Sequence, residues 1–318
     1  MSLIAVSITS CALLTKPKSL SCRFYRSSHM YDDLNWHRSR HRSQPSPHGP
    51  PSNTQHSTIP ASAPISPPSN TIDESTSTNG NHQFNIVSFN LLAPVYKRLT
   101  SRNFTGRRDR ESANNELWQE RLEQTIEFFK QEIYQDTAII ALQEYWLDAR
   151  YRDTFEAQFK EYGYEYRIMQ RAGTKVDAVA LVIKTEVFEI LGVENVDLCA
   201  MGDRVALLAW LRHKSSGQDL LVATTHLSFP HHVFDRLNQV AQMKHLTSVI
   251  DWYAQSHHIH NAPVLIVGDF NVEGQSPVCD HLRSAGYYSC FEVCPPANST
   301  VLPFDAVSLS FSSLNLYR

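Results

Sequence analysis

Four polar residues suited to phosphate chemistry each close a short apolar run in the sequence. Asn90 ends Ser-Phe-Asn, Glu144 ends Leu-Gln-Glu, His226 ends Thr-Thr-His and Asp269 ends Val-Gly-Asp. Apolar runs of this length predict strands, and ligand sites in α/β folds gather where strands end and loops begin. We therefore expect these four side chains to belong to one site.

The residue types fit a hard divalent cation and a phosphate. A carboxylate such as Glu144 can hold Mg²⁺ or Mn²⁺ and leave coordination positions for water and phosphate. Asp269 and Asn271 are two residues apart, so in an extended segment both side chains point to the same side and can orient a water. His226 and Asn90 can donate hydrogen bonds to charge that develops on phosphorus. Singly, each residue is more typical of a structural role; the ordered set favours phosphoester chemistry.

The elements that must position these residues begin near residue 84. Apolar patterns typical of strands occur at 84–89, 137–142, 164–169, 178–183, 187–196, 205–211, 220–225 and 264–267. Helical spacing of apolar residues occurs at 118–133, 151–160 and 234–253. Helices toward both ends and a meander of strands between them predict a mixed sheet, or two sheets with helices outside.

The first 83 residues have a different composition. They are rich in Ser, Pro, His, Asn and Thr, and they precede the first strand pattern. Such a segment buries too little apolar surface to offset its ordering entropy, so we predict that 1–83 is disordered. Its start is basic and contains no acid before Asp32, which resembles a transit peptide for a mitochondrion or chloroplast. An unselective tail of a protein in the cytoplasm or nucleus fits the same composition.

Charge, cysteine content and hydropathy bear on whether the protein binds nucleic acid or zinc or crosses a membrane. The net charge of −3 over 318 residues gives no global basic signal for nucleic-acid binding, although a metal site can supply local positive charge. The six cysteines form no CxxC pair, so buried thiols are expected rather than a zinc site. No stretch reaches the roughly 18 apolar residues of a membrane span, and we predict none. The sequence leaves the oligomeric state open.

The ordered motifs resemble the endonuclease/exonuclease/phosphatase superfamily. The matching pieces are the run at 88–93, Leu-Gln-Glu at 142–144, Thr-His-Leu at 225–227 and Gly-Asp-Phe-Asn at 268–271. Supporting pieces are Trp118 with Arg121, and Arg236 with Gln239. The Asn-Leu-Leu-Ala form, with Lys-Val-Asp at 175–177, is most similar to the carbon-catabolite-repressor-type deadenylases and nocturnin-like members. The resemblance covers about 84–295.

The resemblance implies a fold and a role for each matched residue. The fold is a four-layer α/β/β/α sandwich of two mixed β-sheets flanked by helices. The activity is hydrolysis of phosphodiester or phosphomonoester bonds with Mg²⁺ (or Mn²⁺), and the deadenylase-like motifs favour a 3′–5′ exoribonuclease acting on poly(A)-like RNA. Glu144 would bind the metal, and Asp269 would position or deprotonate the attacking water, beside a possible second metal. The scissile phosphate would be held by Asn90, His226 and Asn271, with Asp177 as a weaker substrate contact.

The end of the chain departs from the pattern. Family members carry a further strand with an Asp and then a loop with a His, whereas 296–318 contains no histidine and only Asp305 as an acid. We therefore predict a divergent or truncated tail at 296–318 after an incomplete domain at 84–295. Removing one member of a preorganised cluster costs on the order of 10²–10³ in rate, so weak or absent turnover is expected.

Two other functions remain open from the sequence. One is a phosphatase or phosphodiesterase acting on a small phosphorylated molecule, such as an inositol phosphate, sphingomyelin or a dinucleotide. The other is a non-catalytic binding module that keeps the fold, which the departing C-terminus favours.

Overall fold

The computed structural model describes residues 84–102, 106–198, 203–272 and 274–289, together with the backbone of short strands at 7–11, 22–26 and 316–317. For residues 100–102 and 233, only the backbone is described. The prediction that 1–83 is disordered, and its alternative as a transit peptide, therefore lie almost wholly outside the described residues. The tail at 296–318 does too.

The strands follow one another along the chain with few helices between them. In order they are β1 (Ser7–Cys11), β2 (Cys22–Arg26), β3 (Asn85–Asn90), β4 (Arg98–Arg102), β5 (Arg108–Arg110), β6 (Thr137–Trp146), β7 (Tyr164–Gln170), β8 (Asp177–Lys184), β9 (Phe188–Asp197), β10 (Val205–His213), β11 (Asp219–His226), β12 (Val264–Asp269), β13 (Tyr288–Ser289) and β14 (Leu316–Tyr317).

These strands form two main sheets, both mixed. The four-stranded sheet has the order β3-β6-β8-β7, in which β3 and β6 are parallel and the other pairs are antiparallel. The six-stranded sheet has the order β13-β14-β12-β11-β10-β9, in which β11 and β12 are parallel. Each parallel pair ends at the same edge of its sheet. That edge carries Asn90 on one sheet and His226 with Asp269 on the other.

In the part of the chain that the structure describes, four α-helices accompany the sheets. They are α1 (Asn115–Phe128), which continues into a π-helical turn (Phe129–Ile133), α2 (Ala149–Glu161), α3 (Val233–Ser256) and α4 (Pro277–Ser284). Short polar side chains start three of them: Asn114 accepts from Leu117 N, Asp148 from Arg150 N and Ser276 from Cys279 N. Such caps satisfy amide groups that have no partner inside the helix.

The buried apolar residues show how the layers stack. One cluster joins alternate residues of the two sheets, including Ile139 and Leu181 from the smaller sheet and Leu207, Val222 and Val267 from the larger one. On its other face the larger sheet packs against α3 and α4 through a second cluster. The rings of Phe155 and Phe159 on α2 are fully buried beside the outer side of the smaller sheet, where Phe155 contacts Tyr145 and Phe159 contacts Tyr166. The predicted four-layer α/β/β/α sandwich is confirmed.

One expectation about the elements was wrong in detail, and one helix was not predicted. Glu144 does not end its strand, because β6 runs on to Trp146 and its pairing with β8 is irregular between Leu142 and Tyr145. The helix α4 was not predicted, since its eight residues are too few for an apolar period to stand out. Within the described parts of the chain, no helix combines the length and apolar character that crossing a bilayer requires.

Candidate active site

The four residues that opened the sequence analysis converge between the two sheets. The Asn90 amide nitrogen lies 3.2 Å from Glu144 Oε1 and 2.9 Å from Asp269 Oδ2. The ring of His226 lies between the same two acids, with Nδ1 4.0 Å from Glu144 Oε1 and Nε2 3.7 Å from Asp269 Oδ2. Asn90 and Glu144 come from the smaller sheet, whereas His226 and Asp269 come from the larger one. The site therefore exists only when the sandwich is assembled.

The loop after Asn90 is folded back onto the site. Asn90 Oδ1 accepts a hydrogen bond from Leu92 N (2.8 Å), and Glu144 Oε2 accepts one from Ala93 N (3.0 Å). Arg121 on α1 donates to the carbonyl oxygens of Leu91 and Leu92, and its charge is paired with buried Glu111. Arg121, a supporting residue of the sequence pattern, thus positions Asn90 indirectly.

Glu144 is presented by a distorted piece of backbone. Its φ is +53°, a left-handed conformation that non-glycine residues adopt rarely and mostly at functional sites. Its neighbour Gln143 is buried, and Gln143 Nε2 donates to Ser88 Oγ on β3 and to Thr224 Oγ1 on β11 (both 3.2 Å). Gln143 therefore connects the two sheets through hydrogen bonds at the position just before Glu144.

The Gly-Asp-Phe-Asn turn is held equally firmly. Gly268 has φ +144°, and a Cβ built there would meet the backbone oxygen of Thr225 at 2.0 Å, so only glycine fits. Asn271 has φ +51°; its backbone N–H donates to Asp269 Oδ1 (3.1 Å) and its side-chain amide donates to Leu227 O (3.0 Å). Asn271 thus ties the turn to the histidine strand, and a role in holding phosphate stays a prediction.

Burial sets the charge state of the two acids. Burial raises the pKa of Asp269 to about 7, against the opposing hydrogen bonds from Asn90 and from Asn271 N. Burial also raises the pKa of Glu144, where the hydrogen bond from Asn90 opposes the shift and the nearby charge of Asp177 adds to it. Two acids crowded in a desolvated site are poised for a positively charged ligand.

His226 is neutral in this environment. Burial holds the pKa of His226 well below its usual range, and the charges of Arg204 and Arg171 push it in the same direction. Its Nδ1 atom is buried with no hydrogen-bond partner among the described residues. Leaving a buried ring nitrogen without a hydrogen-bond partner costs free energy, and a bound phosphate or water can satisfy it.

A second group of residues surrounds the fully buried Asp177. Its carboxylate accepts a hydrogen bond from the Tyr96 hydroxyl (2.5 Å) and lies 3.4 Å from Arg171 Nη1. Burial raises the pKa of Tyr96, and the hydrogen bond to Asp177 reinforces this. The observed contacts of Asp177 are to protein groups, and the predicted contact with substrate remains untested.

Arg204 is a site residue that the sequence analysis missed. Its Nη1 atom is buried and has no hydrogen-bond partner among the described residues, and burial lowers its pKa to about 10, so it stays charged at neutral pH. Its charge acts on Asp269, Glu144 and His226. Arg204 directly precedes β10, and the pairing of Ala206 with Thr225 sets the start of β10 beside the end of β11, so the structure rather than the sequence brings Arg204 to His226.

The donor set fits a divalent cation such as Mg²⁺. Mg²⁺ is commonly held by one or two carboxylates, with water and substrate phosphate completing its shell. Glu144 and Asp269 offer such a pair, and a positive ion there would stabilise their charged forms against the burial that raises both pKa values. In the described parts of the chain no cluster of three or more His, Cys, Asp or Glu is arranged as a metal cage, and a Mg²⁺ site of this open kind needs none.

Comparison with known sequences decides the family. The sequence pattern of the endonuclease/exonuclease/phosphatase family matches residues 87–313. The chain belongs to this family. Its members are hydrolases that act on phosphoester bonds, and the resemblance predicted from the ordered motifs is confirmed. The match extends into residues that the structure does not describe, so the predicted boundaries at 84–295 and 296–318 stay predictions.

Two relatives illustrate the range of the family. An uncharacterized calcium-binding protein of Arabidopsis thaliana is 25% identical over 216 residues, which are 65% of this chain and 43% of the relative. The CCR4-Not complex 3′-5′-exoribonuclease subunit Ccr4 of Kluyveromyces lactis is 26% identical over 248 residues, covering 66% of this chain and 31% of that protein. The chain thus spans less than half the length of either relative.

A solved structure shows the same fold. The human nocturnin catalytic domain with a bound sulfate anion superposes with a TM-score of 0.56 at 22% identity, covering 74% of this chain and 81% of that one. This similarity independently supports the four-layer sandwich.

Proposed function

We propose that this chain is a Mg²⁺-dependent phosphodiester hydrolase whose substrate is single-stranded, poly(A)-like RNA, degraded from its 3′ end. The observation that carries the proposal is the shared contact of Asn90 with the buried acids Glu144 and Asp269, beside a neutral His226. Mn²⁺ would fit the same oxygen ligands.

Each side chain has a distinct task in the proposed reaction. When bound at Glu144, a divalent cation supplies positive charge at the phosphoryl oxygens. Asp269 orients a water and accepts its proton, with its carboxylate held in place by hydrogen bonds from the Asn90 amide and from Asn271 N. The water oxygen bonds to phosphorus, the bond from phosphorus to the leaving ribose oxygen breaks, and that oxygen takes a proton from solvent.

The remaining groups stabilise charge on the phosphate. Neutral His226 and the Asn90 amide can donate hydrogen bonds. Arg204 adds a full positive charge, and its Nη1 atom has no hydrogen-bond partner among the described residues. Donors fixed before the reaction need no reorganisation when charge develops, so each is worth on the order of 10²–10³ in rate.

RNA is favoured over a small phosphorylated molecule by the chain around the site. The relative from Kluyveromyces lactis is named an exoribonuclease subunit. Two residues after Tyr96, the β4–β5 segment begins, and it exposes Arg98, Arg107 and Arg108. Exposed arginines beside a phosphate site suit a polyanionic substrate.

A substrate panel tests the proposal. The full chain is incubated with Mg²⁺ and a 5′-labelled A₂₀ oligonucleotide, a U₂₀ oligonucleotide, a dinucleotide, an inositol phosphate or sphingomyelin. We expect stepwise shortening of A₂₀ from its 3′ end, and slower or no release of phosphate from the small molecules. Faster turnover of a small molecule would replace RNA as the substrate, and binding of A₂₀ without turnover of any substrate would favour the non-catalytic module.

A further inference from the structure

Exposed apolar side chains are concentrated immediately after the catalytic histidine. The described residues contain six exposed large hydrophobic side chains, and three of them fall between positions 229 and 237. Phe229 is 53% exposed, Phe234 74% and Leu237 64%. We call these three side chains the aromatic rim. Leaving so much apolar surface in water is unfavourable, so a local concentration of it marks a contact surface.

The aromatic rim is anchored to the active site at its base. Leu227 N donates to Asp269 O (2.9 Å), and Ser228 N donates to Gln242 Oε1 (3.1 Å). Gln239 Nε2 donates to both Ser228 O (2.7 Å) and Asn271 O (2.9 Å). Phe229 lies three residues after His226, a group proposed to hold the phosphate. These hydrogen bonds fix the base of the loop that carries Phe229.

The helix that follows presents the other two rim residues. Phe234 and Leu237 lie three positions apart in the first turns of α3, so they share one face. The helix starts with a hydrogen bond from His232 N to Asp235 Oδ2 (2.8 Å), which fixes the first turn that carries Phe234. The rim residues thus occupy the loop that follows His226 and the first turns of α3.

The groups around the rim include donors that can meet a phosphate. Arg236 is exposed beside the rim residues, the exposed rings of His231 and His232 lie between them in sequence, and Asp235 is engaged by His232 N. The positive end of the α3 dipole lies in the same turn. Flat aromatic surfaces together with positive charge are the usual means of holding single-stranded nucleic acid, since bases stack on the rings and phosphates meet the cations.

We infer that the aromatic rim binds the bases of the single-stranded nucleic-acid chain that extends away from the phosphate being hydrolysed. This inference rests on the proposed function and adds the residues that set the preference for an oligonucleotide over a small phosphorylated molecule. Phe229 and Phe234 supply stacking surfaces, and Leu237 extends the apolar face beside Phe234.

Binding of fluorescein-labelled A₁₀ tests the inference without depending on turnover. The full chain carries Asp269→Asn to stop hydrolysis, and Kd is measured by fluorescence anisotropy in Mg²⁺. Because stacking on one aromatic side chain is worth ~1–3 kcal/mol per base, Phe229→Ala and Phe234→Ala should each raise Kd about 5- to 150-fold. All three positions are exposed, so the melting temperature should be unchanged.

The matched control is Trp252→Ala. Trp252 is also an exposed aromatic residue of α3, at 59%, but it lies 18 residues beyond Phe234, or ~27 Å along the axis. Its replacement should leave Kd for A₁₀ unchanged. Phe234→Tyr should retain binding and Phe234→Leu should lose it, because only a ring can stack.

Three outcomes would overturn the inference. The first is an unchanged Kd for A₁₀ in the Phe229→Ala, Phe234→Ala double variant. The second is loss of binding to anionic phospholipid vesicles in that variant with A₁₀ binding intact, which would assign the rim to a membrane surface. The third is conversion of a dimer to a monomer by that variant, with A₁₀ binding intact. Failure of the proposed hydrolysis would appear separately, as a wild-type chain that binds A₁₀ and does not shorten it.

Discussion

The Asn90 amide and the Asp269 carboxylate meet across the two sheets of the sandwich, with Nδ2 and Oδ2 2.9 Å apart. Asn90 is the last residue of β3 in the smaller sheet, and Asp269 is the last residue of β12 in the larger one. The same nitrogen lies 3.2 Å from Glu144. One side-chain amide thus joins both acids, and the geometry of the site depends on how the two sheets are packed.

Replacing Asn90 with Ala should impair catalysis more than folding. The change removes the hydrogen bonds to Glu144 and Asp269, both of which oppose the rise of the carboxyl pKa values. We expect kcat to fall by about 10²–10³ and the acidic limb of the rate–pH profile to move to higher pH. Asn85→Ala is the control, because Asn85 starts the same strand and donates only to the carbonyl of Asp136 at the surface. Equal losses in both variants would contradict the role of Asn90.

Replacing Asp269 with Asn should stabilise the metal-free protein at high pH. In the fold the pKa of Asp269 is about 7, whereas it is about 3.9 in an unfolded chain. Between these values the folded state binds the extra proton, so stability falls as pH rises through this window and stays lower above it. The variant lacks this penalty, and its advantage should grow from near zero at pH 4 to about 2–4 kcal/mol at pH 8.

Urea denaturation of the metal-free protein at several pH values measures this effect. The acid Asp219, paired with Arg212 at the surface, provides the control variant Asp219→Asn. An Asp269→Asn variant that is less stable than the wild type at pH 8 would show that the buried carboxylate does not destabilise the fold. The same variant should lose activity, so the acid would be retained for function at a cost in stability.

Replacing Gly268 with Ala should disrupt the strand that carries Asp269. The new Cβ would meet Thr225 O on the neighbouring strand at 2.0 Å, at a φ of +144° that alanine rarely adopts. We expect a loss of about 3 kcal/mol or more in the free energy of unfolding. Gly274→Ala is the control, since a Cβ there meets no atom within 4 Å, and it should change stability by about 0.5 kcal/mol or less. Thermal unfolding of both variants compares them, and a tolerated Gly268→Ala would contradict the close approach of β11 and β12.

Replacing Arg204 with Gln should slow hydrolysis without unfolding the protein. Its positive charge lowers the pKa values of Asp269 and Glu144, so its loss should move the acidic limb of the rate–pH profile to higher pH. We expect kcat to fall by about 10²-fold, as for one charge-stabilising donor. Arg212→Gln is the control, because Arg212 lies on the adjoining strand with its charge paired to Asp219 in solvent. A profile that keeps its shape in Arg204→Gln would exclude Arg204 from the site.

The strands and the candidate residues could be predicted from the sequence because both follow local sequence patterns. Apolar runs gave the strands from β3 and β6 through β12, and strand ends gave Asn90, His226 and Asp269. The irregular stretch of β6 could not be predicted from the sequence. The left-handed backbone of Glu144 lies where the pairing of β6 with β8 is irregular, and β8 is distant in sequence. Gln143 was recognised only as part of a motif, and its bridge to Thr224 appears once two sheets face each other.

Arg204 and Tyr96 escaped prediction for a related reason. A single arginine in a polar loop is typical of a solvated surface. Tyr96 lies in a turn segment where the apolar residues show no regular spacing. Both became site residues because distant segments bring Asp177, Glu144 and Asp269 beside them. The predicted lack of the family's last Asp and His concerns residues after Ser289, outside the described side chains, and the predicted weak turnover awaits measurement.

The most direct test of the central claim is the rate of A₂₀ shortening by the wild type, Glu144→Gln and Asp269→Asn, each with Mg²⁺ and with EDTA. All three chains should be folded by circular dichroism. We expect measurable shortening only by the wild type with Mg²⁺, at least about 10²-fold faster than by either variant. Shortening that persists in both variants, or that is unaffected by EDTA, would contradict a metal and phosphate site built on Glu144 and Asp269.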